Sequence, residues 1–247
     1  MHLPVLKKEI MKFFNPGEGE IIVDCTAGFL GHTRALEKAG AKVIALDRCP
    51  QFKRVKKANF RDLGSLIKKP VFGVLFDLGL CSWQIDESGK GFSYLKDEPL
   101  DMRLGESDRT AHEVVNNYPE KDLTEIFKEY GEEPKAHLIA REIVKHRPLR
   151  STKELADLIW GIKSKARIFQ AVRIEVNDEL RALDQGLEAA MKLAKKIAVI
   201  SYHSLEDRIV KNKFKNKILI RPQPEEVKKN SRSRSAKLRI YINDQIQ

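Results

Sequence analysis

Apolar runs of strand length alternate with helical patterns in the first third of the chain, and one such run returns near the end. Three of these runs are each followed by an aspartate: residues 21–23 by Asp24, 42–46 by Asp47 and 71–76 by Asp77. A fourth run, 197–201, follows a helical pattern over residues 180–194. Strands that alternate with helices predict a parallel sheet covered by helices.

The middle of the chain has a different period. From Arg109 apolar residues recur at helical spacing for about eighty residues, without a strand pattern. The predicted helices cover residues 123–130, 136–146, 155–160 and 168–176. Because a strand pattern returns afterwards, we predict an all-helical domain, residues 104–185, inserted into an α/β domain made of residues 1–103 and 186–247.

The last two apolar runs, residues 217–220 and 237–242, predict an antiparallel pair of strands. A mostly parallel Rossmann-like sheet with an antiparallel edge hairpin is typical of class I methyltransferases. A dinucleotide-dependent dehydrogenase more often continues with parallel units. The hairpin therefore favours the methyltransferase class, and a dinucleotide enzyme stays as the alternative.

A glycine-containing loop follows the first strand. Gly28 and Gly31 allow a sharp turn close to a ligand, but the dinucleotide fingerprint needs a third glycine that is absent here. A purely structural strand–helix turn is thus equally compatible with the loop. Asp47 favours a nucleotide site, because an acid about 20 residues further on, at the tip of the second strand, can accept both ribose hydroxyls. Phe60 could cover an adenine or pack in the core.

Charge is concentrated near the end of the chain. The 247 residues carry a formal charge of +11, and the stretch from Arg208 to Arg239 holds twelve Lys or Arg residues against two acids. This excess favours a polyanion, and RNA more than DNA because no helix-turn-helix or zinc-finger spacing is present. A solvated basic surface is the alternative.

The cysteine, histidine and hydropathy patterns limit which kinds of protein and of binding site remain possible. The three cysteines match neither a disulfide framework nor a zinc site, and the isolated histidines have no metal-ligand spacing. No signal peptide or membrane span is apparent. We therefore expect a cytoplasmic protein without a metal site and without a membrane partner.

Many short segments resemble the MraW-like ribosomal small subunit methyltransferase H family, in order along the whole chain. They include Gly31-His32-Thr33, Leu46-Asp-Arg48, Phe76-Asp-Leu-Gly79, Gln84-Ile-Asp86, Pro99-Leu-Asp-Met-Arg103, Ser201-Tyr-His-Ser-Leu-Glu-Asp-Arg208 and Ser233-Arg-Ser-Ala-Lys-Leu-Arg239. Phe29 and Leu30 depart from the family, whose loop is richer in glycine.

The resemblance implies the class I S-adenosylmethionine-dependent methyltransferase fold. It also implies transfer of a methyl group from S-adenosyl-L-methionine to the exocyclic N4 of a cytidine in the decoding region of bacterial 16S rRNA. The small ribosomal subunit would be the partner, and a homodimer is left open. The implied cofactor-binding residues are Leu30, Gly31, His32, Asp47, Phe60, Asp77 and Gln84.

The residues expected to act on the RNA fall into two groups. His203 and Asp101 are the catalytic candidates, His203 for orienting the base or passing its proton. The candidate RNA contacts are Arg103, Ser201, Arg232 and Arg234. The structural alternatives are a hydrogen bond from His203 to Glu206 or Asp207, and a salt bridge between Asp101 and Arg103. An RNA-binding or assembly protein that has lost catalysis remains the other class of function.

Overall fold

The computed structural model describes residues 4–105, 107–214 and 218–246. The chain separates into two compact units, one comprising the residues up to Gly79 and from Leu180 onward, and the other Leu80–Glu179. Each unit is described by itself. Among the described residues, none of the helices is both long and apolar enough to cross a bilayer.

The strands of the described residues form one sheet in the first unit. They are β1 (Ile21–Asp24), β2 (Lys42–Asp47), β3 (Lys56–Lys57), β4 (Val71–Asp77), β5 (Ala194–Ser201), β6 (Leu219–Ile220) and β7 (Lys237–Ile242). Their order is β3-β2-β1-β4-β5-β7-β6. The first five are mutually parallel, and β7 is antiparallel to β5 and β6. The predicted parallel sheet with an antiparallel edge hairpin is confirmed, although Lys217 lies outside the described residues.

The helices of the described residues alternate with these strands and fill the second unit. They are α1 (Lys7–Phe14), α2 (Gly31–Lys38), α3 (Leu63–Leu66), α4 (Ser82–Asp86), α5 (Ala111–Asn117), α6 (Glu120–Glu129), α7 (Ala136–Lys145), α8 (Thr152–Asp157), α9 (Ile162–Asn177), α10 (Glu179–Leu193), α11 (Ser204–Lys213) and α12 (Pro224–Lys229). Helices α4 to α9 belong to the second unit.

Both faces of the central strands are buried. Leu75 packs in one apolar cluster with residues of α1 and α2, whereas Val74 and Phe76 pack in another with residues of α10. This split follows from the two-residue period of a strand. A Cβ on Gly73 would lie 2.5 Å from the Phe14 ring, so the glycine lets α1 approach the sheet closely. Burial on both faces explains the continuous apolar runs of these strands.

The second unit has its own core, built by α5 to α9 together with part of the irregular segment before them. Leu100 and Met102 are at most 2% exposed and belong to that core. The His112 and Ala111 N–H groups donate to the carbonyls of Leu100 and Asp101, at 2.7 and 2.8 Å. Because the irregular segment packs with the helices, this unit begins at Leu80 instead of residue 104, and it ends at Glu179 instead of residue 185.

Candidate active site at the carboxyl edge of the sheet

The strand register places two aspartates at the same edge of the sheet. Asp24, the last residue of β1, is aligned with Ala45 of β2 and with Leu75 of β4. Asp47 and Asp77 therefore each lie two residues beyond the end of β1, on the strands that flank it. Two strand spacings separate β2 from β4 by about 10 Å. The carboxyl edge thus has a gap over β1 with an acid on each side.

The loop after β1 spans this gap and is bound to both flanking strands. The Cys25 N–H donates to the Leu75 carbonyl and the Ala27 N–H to the Leu46 carbonyl, both at 2.9 Å. On the β4 side the Asp77 N–H donates to Thr26 Oγ1 at 2.7 Å. These bonds hold the loop in one conformation, so that its backbone groups are preorganised.

Leu30 and Gly31 connect this loop to α2. Leu30 has φ of +65° and is 1% exposed, and its side chain packs with Ala27, Ala45 and Val55. The bulky residue that departs from the family pattern thus fills an apolar cluster while its backbone turns the chain. A Cβ on Gly31 would lie 3.1 Å from Pro4, which leaves little room for another side chain there.

Asp24 lies below the loop and is almost fully buried. Its Oδ2 accepts a 2.6 Å hydrogen bond from the Thr33 hydroxyl, and its Oδ1 accepts one from the Thr26 N–H at 3.3 Å. Burial raises the pKa of Asp24, while the Thr33 hydrogen bond and His32 oppose that rise. With 1% exposure, this carboxyl group braces the loop internally.

Asp47 is only partly buried, and both of its carboxylate oxygens face the loop backbone. Oδ2 accepts from the Gly28 N–H and Oδ1 from the Cys49 N–H, each at 2.8 Å. An ionised carboxylate has about four lone-pair sites, so each oxygen can accept one more hydrogen bond. The side chain is therefore oriented and can still accept two hydroxyl groups.

Asp77 joins two other side chains at the tip of β4. Its Oδ1 accepts a 2.8 Å hydrogen bond from the Tyr202 hydroxyl, and its Oδ2 lies 3.6 Å from His32 Nε2. That second distance is too long for a hydrogen bond. Burial, followed by the charge of Asp77, raises the pKa of Tyr202 well above its usual value. Tyr202 therefore stays protonated and donates to the aspartate at neutral pH.

His32 is a buried polar group at this edge whose ring nitrogens both lack hydrogen bonds among the described residues. The residue is only 6% exposed. A buried polar atom without a partner costs free energy, and such atoms in folded proteins often face a ligand or an ordered water. The edge is therefore suited to a polar ligand beside Asp77.

Ser201 is the last residue of the next strand, β5, and His203 lies two residues beyond it. His203 is the N-cap residue of α11, since its Nδ1 accepts from the Glu206 N–H at 3.4 Å. Its Nε2 lies 3.1 Å from Glu206 Oε1 but not in hydrogen-bonding geometry. The Ser201 hydroxyl is buried, with 2% exposure, and donates to the Lys237 carbonyl at 3.4 Å. This burial argues against the predicted RNA contact of Ser201.

Asp101 and Arg103 form an ion pair within the second unit. Arg103 donates from Nε and from Nη2 to the two carboxylate oxygens of Asp101, at 2.9 and 2.8 Å, and its N–H donates to the same carboxylate. The Arg103 hydrogen bonds hold the pKa of Asp101 below its usual range. This is the internal salt bridge that the sequence left as the alternative.

The cations between Arg221 and Arg239, around the edge hairpin, differ in their exposure. Arg232 and Arg234 are exposed on a short 3₁₀ turn, Ser231–Ser235. In contrast, Lys237 and Arg239 donate to the two carboxylate oxygens of Asp207, at 2.9 and 2.7 Å. Lys215 and Lys217 lie outside the described residues. Because Asp207 neutralises part of the charge of Lys237 and Arg239, fewer of the cations counted in the sequence are available at the exposed surface.

Comparison with known proteins assigns the chain to a family. A family model described as the MraW methylase family matches residues 1–219. The chain belongs to this family.

Its relatives resemble it over nearly their whole length. A Deinococcus deserti protein named Ribosomal RNA small subunit methyltransferase H is 42% identical, covering 97% of this chain and 92% of the relative. Proteins of the same name from Thermosipho melanesiensis and Thermotoga neapolitana are 40% and 39% identical. The alignments cover 97% and 96% of this chain, and 96% and 94% of those two relatives.

Membership of the MraW methylase family agrees with the sheet order and confirms the predicted class I methyltransferase fold. It also confirms S-adenosylmethionine as the methyl donor. The donor set at the carboxyl edge fits that molecule: an oriented carboxylate on β2 suits a ribose, and the incompletely bonded His32 suits a polar ligand. The dinucleotide-dependent alternative does not hold for a member of this family.

Two predicted cofactor contacts already have structural roles. Phe60 is half-buried, and its ring meets that of Phe76 edge to face, with centroids 5.5 Å apart. Gln84 lies in the second unit, where its Oε1 accepts from the Cys81 N–H at 2.8 Å at the start of α4. Contacts of these two side chains with the cofactor remain predictions.

Sequence reasoning overlooked Tyr202. Its hydroxyl holds Asp77, and its ring packs so closely on Gly79 that a Cβ there would lie 2.6 Å from it. Its position in the sequence was informative, because a residue that directly follows β5 lies at the same edge of the sheet as Asp77 at the end of β4. What the sequence could not supply was the direction of the side chain.

Proposed function

We propose that this protein transfers a methyl group from S-adenosylmethionine to the exocyclic N4 of a cytidine in the decoding region of bacterial 16S rRNA. One observation carries the proposal. Asp47 and Asp77 flank the loop at the carboxyl edge of a methyltransferase sheet, in a chain whose relatives are named for methylation of small-subunit ribosomal RNA. Such a substrate places the protein in the cytoplasm, where ribosomal subunits are assembled. A homodimer stays a prediction.

The residues of the carboxyl edge would hold the cofactor. Asp47 would accept the ribose hydroxyls, because both of its oxygens retain a free lone pair. Leu30 and Gly31 would contribute backbone groups, and Asp77 with His32 would face the polar end of the molecule. When bound, S-adenosylmethionine would supply a methyl group attached to a positively charged sulfur. This positive charge makes the sulfur a good leaving group for in-line transfer of the methyl group.

The acceptor nitrogen of cytosine is a weak nucleophile, because its lone pair is delocalised into the ring. A hydrogen-bond acceptor at the amino group would favour the pyramidal, more nucleophilic form, and a proton must leave after the new bond has formed. We assign this role to Asp101 or His203. His203 Nδ1 accepts the cap hydrogen bond of α11, so the neutral ring carries its proton on Nε2 and would have to release that cap bond before it could accept from the base. Arg103 would hold the nucleotide next to Asp101.

Substitution by asparagine separates the two roles of His203. Asparagine is a good N-cap residue, so His203→Asn keeps the cap of α11 and removes the imidazole. A catalytic role predicts that His203→Asn and His203→Ala lose activity about equally, while only the alanine variant loses stability. Full activity of the asparagine variant would leave His203 with the capping role alone.

Arg232 and Arg234 are proposed to contact phosphates of the rRNA. Their exposure and their position on a short turn beside the edge hairpin support this assignment. Replacing both with alanine is expected to lower the salt dependence of RNA binding, by about 0.7 in slope for each lost contact with a single strand. An unchanged slope, measured by titration at several salt concentrations, would contradict it.

The decisive experiment identifies the methylated nucleoside. The protein is incubated with isotopically labelled S-adenosylmethionine and either deproteinised 16S rRNA or small subunits that lack the modification. The RNA is digested and its nucleosides are resolved by mass spectrometry. Labelled N4-methylcytidine within a decoding-region fragment is expected. At a cofactor concentration near the wild-type Kd, Asp77→Ala should strongly reduce this label, and Asp244→Ala, which removes an exposed acid after β7, should leave it unchanged. Label in another nucleoside, or in none with either substrate, would contradict the proposal.

A further inference from the structure

A basic groove lies along α2, and none of its lining side chains has a role in the proposed reaction. Its walls are Lys7 of α1, Arg34 and Lys38 of α2, and the rings of Phe29 and Phe52; its volume is about 460 Å³. Gly31 and Ala35 form the rest of its lining. We refer to these seven residues as the α2 groove.

The α2 groove combines three cations with an absence of acids. Lys7, Arg34 and Lys38 are all exposed, and no acidic side chain is among the residues that line it. Glu37, the acid on the same helix, is bound by Arg54 at 3.0 Å. Like charges four residues apart on a helix repel each other. An anion between Arg34 and Lys38 would relieve that repulsion.

Two aromatic rings lie beside these charges. Phe29 and Phe52 meet edge to face, with centroids 6.2 Å apart and an angle of 85° between the ring planes. The Arg34 guanidinium lies 5.6 Å from the centroid of the Phe52 ring. Both rings are only half-buried. Grooves that bind single-stranded nucleic acids combine cations along the backbone with aromatic rings on which bases stack.

We propose that the α2 groove binds a single-stranded segment of the RNA substrate. Lys7, Arg34 and Lys38 contact successive phosphates, and an unpaired base stacks on Phe29. The inference rests on the proposed function, because it assigns the rRNA a second contact area. An acidic peptide would satisfy the charges, but it would leave the aromatic rings without a role. The combination of charges and rings therefore favours RNA.

The test measures binding of a short fluorescent oligouridylate by anisotropy. Replacing Arg34 and Lys38 together with alanine is expected to weaken binding at least tenfold and to lower the salt slope by about 1.4, because each contact with a single strand contributes about 0.7. Phe29→Ala is expected to weaken binding about tenfold with the slope unchanged, since stacking carries no charge. Thermal melting checks that each variant is folded.

A matched control removes the same charge elsewhere. Lys68→Ala with Lys69→Ala deletes two exposed lysines just after α3 and is expected to leave the affinity and the slope as in the wild type. Equal losses in the control and the groove variant would overturn the proposal. Competition by polyglutamate as strong as that by the oligonucleotide would also overturn it, in favour of an acidic protein segment.

Two further readouts separate this inference from the proposed function. In the Arg34 and Lys38 double variant, the calorimetric affinity for S-adenosylmethionine is expected to be unchanged. The KM for RNA is expected to rise while kcat stays the same. If the protein methylates 16S rRNA and the groove variants bind RNA normally, the groove proposal fails alone. If the variants lose RNA binding but no cytidine is methylated, the proposed function fails alone.

Discussion

Asp24 and Asp77 end neighbouring parallel strands after similar apolar runs, but they have opposite environments. Asp24 is 1% exposed and bonds within its own loop, through Thr26 and Thr33. Asp77 has a side chain that is 17% exposed, and Tyr202 holds it beside His32, whose ring nitrogens have no hydrogen-bond partner among the described residues. One acid thus stabilises the loop, and the other is directed toward the space where a ligand would lie.

The register explains the difference. β4 continues two residues past its alignment with Asp24, so that Asp77 reaches beyond the loop and Asp24 stays beneath it. An acid after an apolar run is therefore an ambiguous signal. It marks the carboxyl edge of the sheet, but only the relative length of the strands decides whether the acid faces the core or a ligand.

The largest expected effect is on folding and concerns Asp24. Asp24→Ala leaves the Thr33 hydroxyl and the Thr26 N–H without their buried acceptor and is expected to lower the free energy of unfolding by about 3 kcal/mol. Chemical denaturation measures the change, and Asp244→Ala is the control at an exposed acid. A fully stable Asp24→Ala protein that no longer binds S-adenosylmethionine would reverse the roles of the two acids.

The next largest effect is on binding and concerns Asp77. Asp77→Ala is expected to weaken S-adenosylmethionine binding about a hundredfold, because this loss corresponds to the free energy of a hydrogen bond to a charged group. The free energy of unfolding is expected to fall by only about 1 kcal/mol. Calorimetric titration and denaturation, made on the same preparation, measure the two quantities. Wild-type affinity in this variant would remove Asp77 from the cofactor site.

Tyr202 tests whether the direction of Asp77 matters. Tyr202→Phe removes the hydroxyl that donates to Asp77 Oδ1 and keeps the ring that packs on Gly79. We expect the KM for S-adenosylmethionine to rise about fivefold, as for a net hydrogen bond of about 1 kcal/mol, while the KM for RNA stays the same. A variant that changes only its melting temperature would show that Tyr202 supports the fold without positioning Asp77.

The smallest effect is on the pH dependence of stability. Burial raises the pKa of Asp24 above its unfolded value, so the folded state favours the protonated form. The stabilisation from this raised pKa is fully present below the unfolded pKa and is lost as the pH rises through the folded pKa. The unfolding free energy of the wild type should therefore fall relative to that of Asp24→Asn over this interval. Denaturant titrations at several pH values measure both free energies of unfolding. Equal dependence on pH in the wild type and in Asp24→Asn would contradict a raised pKa of Asp24.

Much of the first unit could be predicted from local patterns. The runs that become β1, β4 and β5 are largely apolar because most positions on both faces of these strands are buried, whereas the first half of β2 is partly exposed. The position of Asp47 followed from the same logic, since the tip of a strand is visible where its apolar run stops. The family motifs identified Leu30, Gly31 and His32, but they did not describe how these residues pack.

Contacts between distant residues were decided by the tertiary structure alone. Sequence could not show that Ser201 is buried, that Asp207 binds two of the hairpin cations, or that the segment around Leu100 packs in the helical unit. The sequence by itself determined the fold class, the sheet edge and its candidate acids, because strand and loop patterns are local. Which acid faces a ligand, and which side chain orients it, was decided only by the register and by packing, because those depend on partners far apart along the chain.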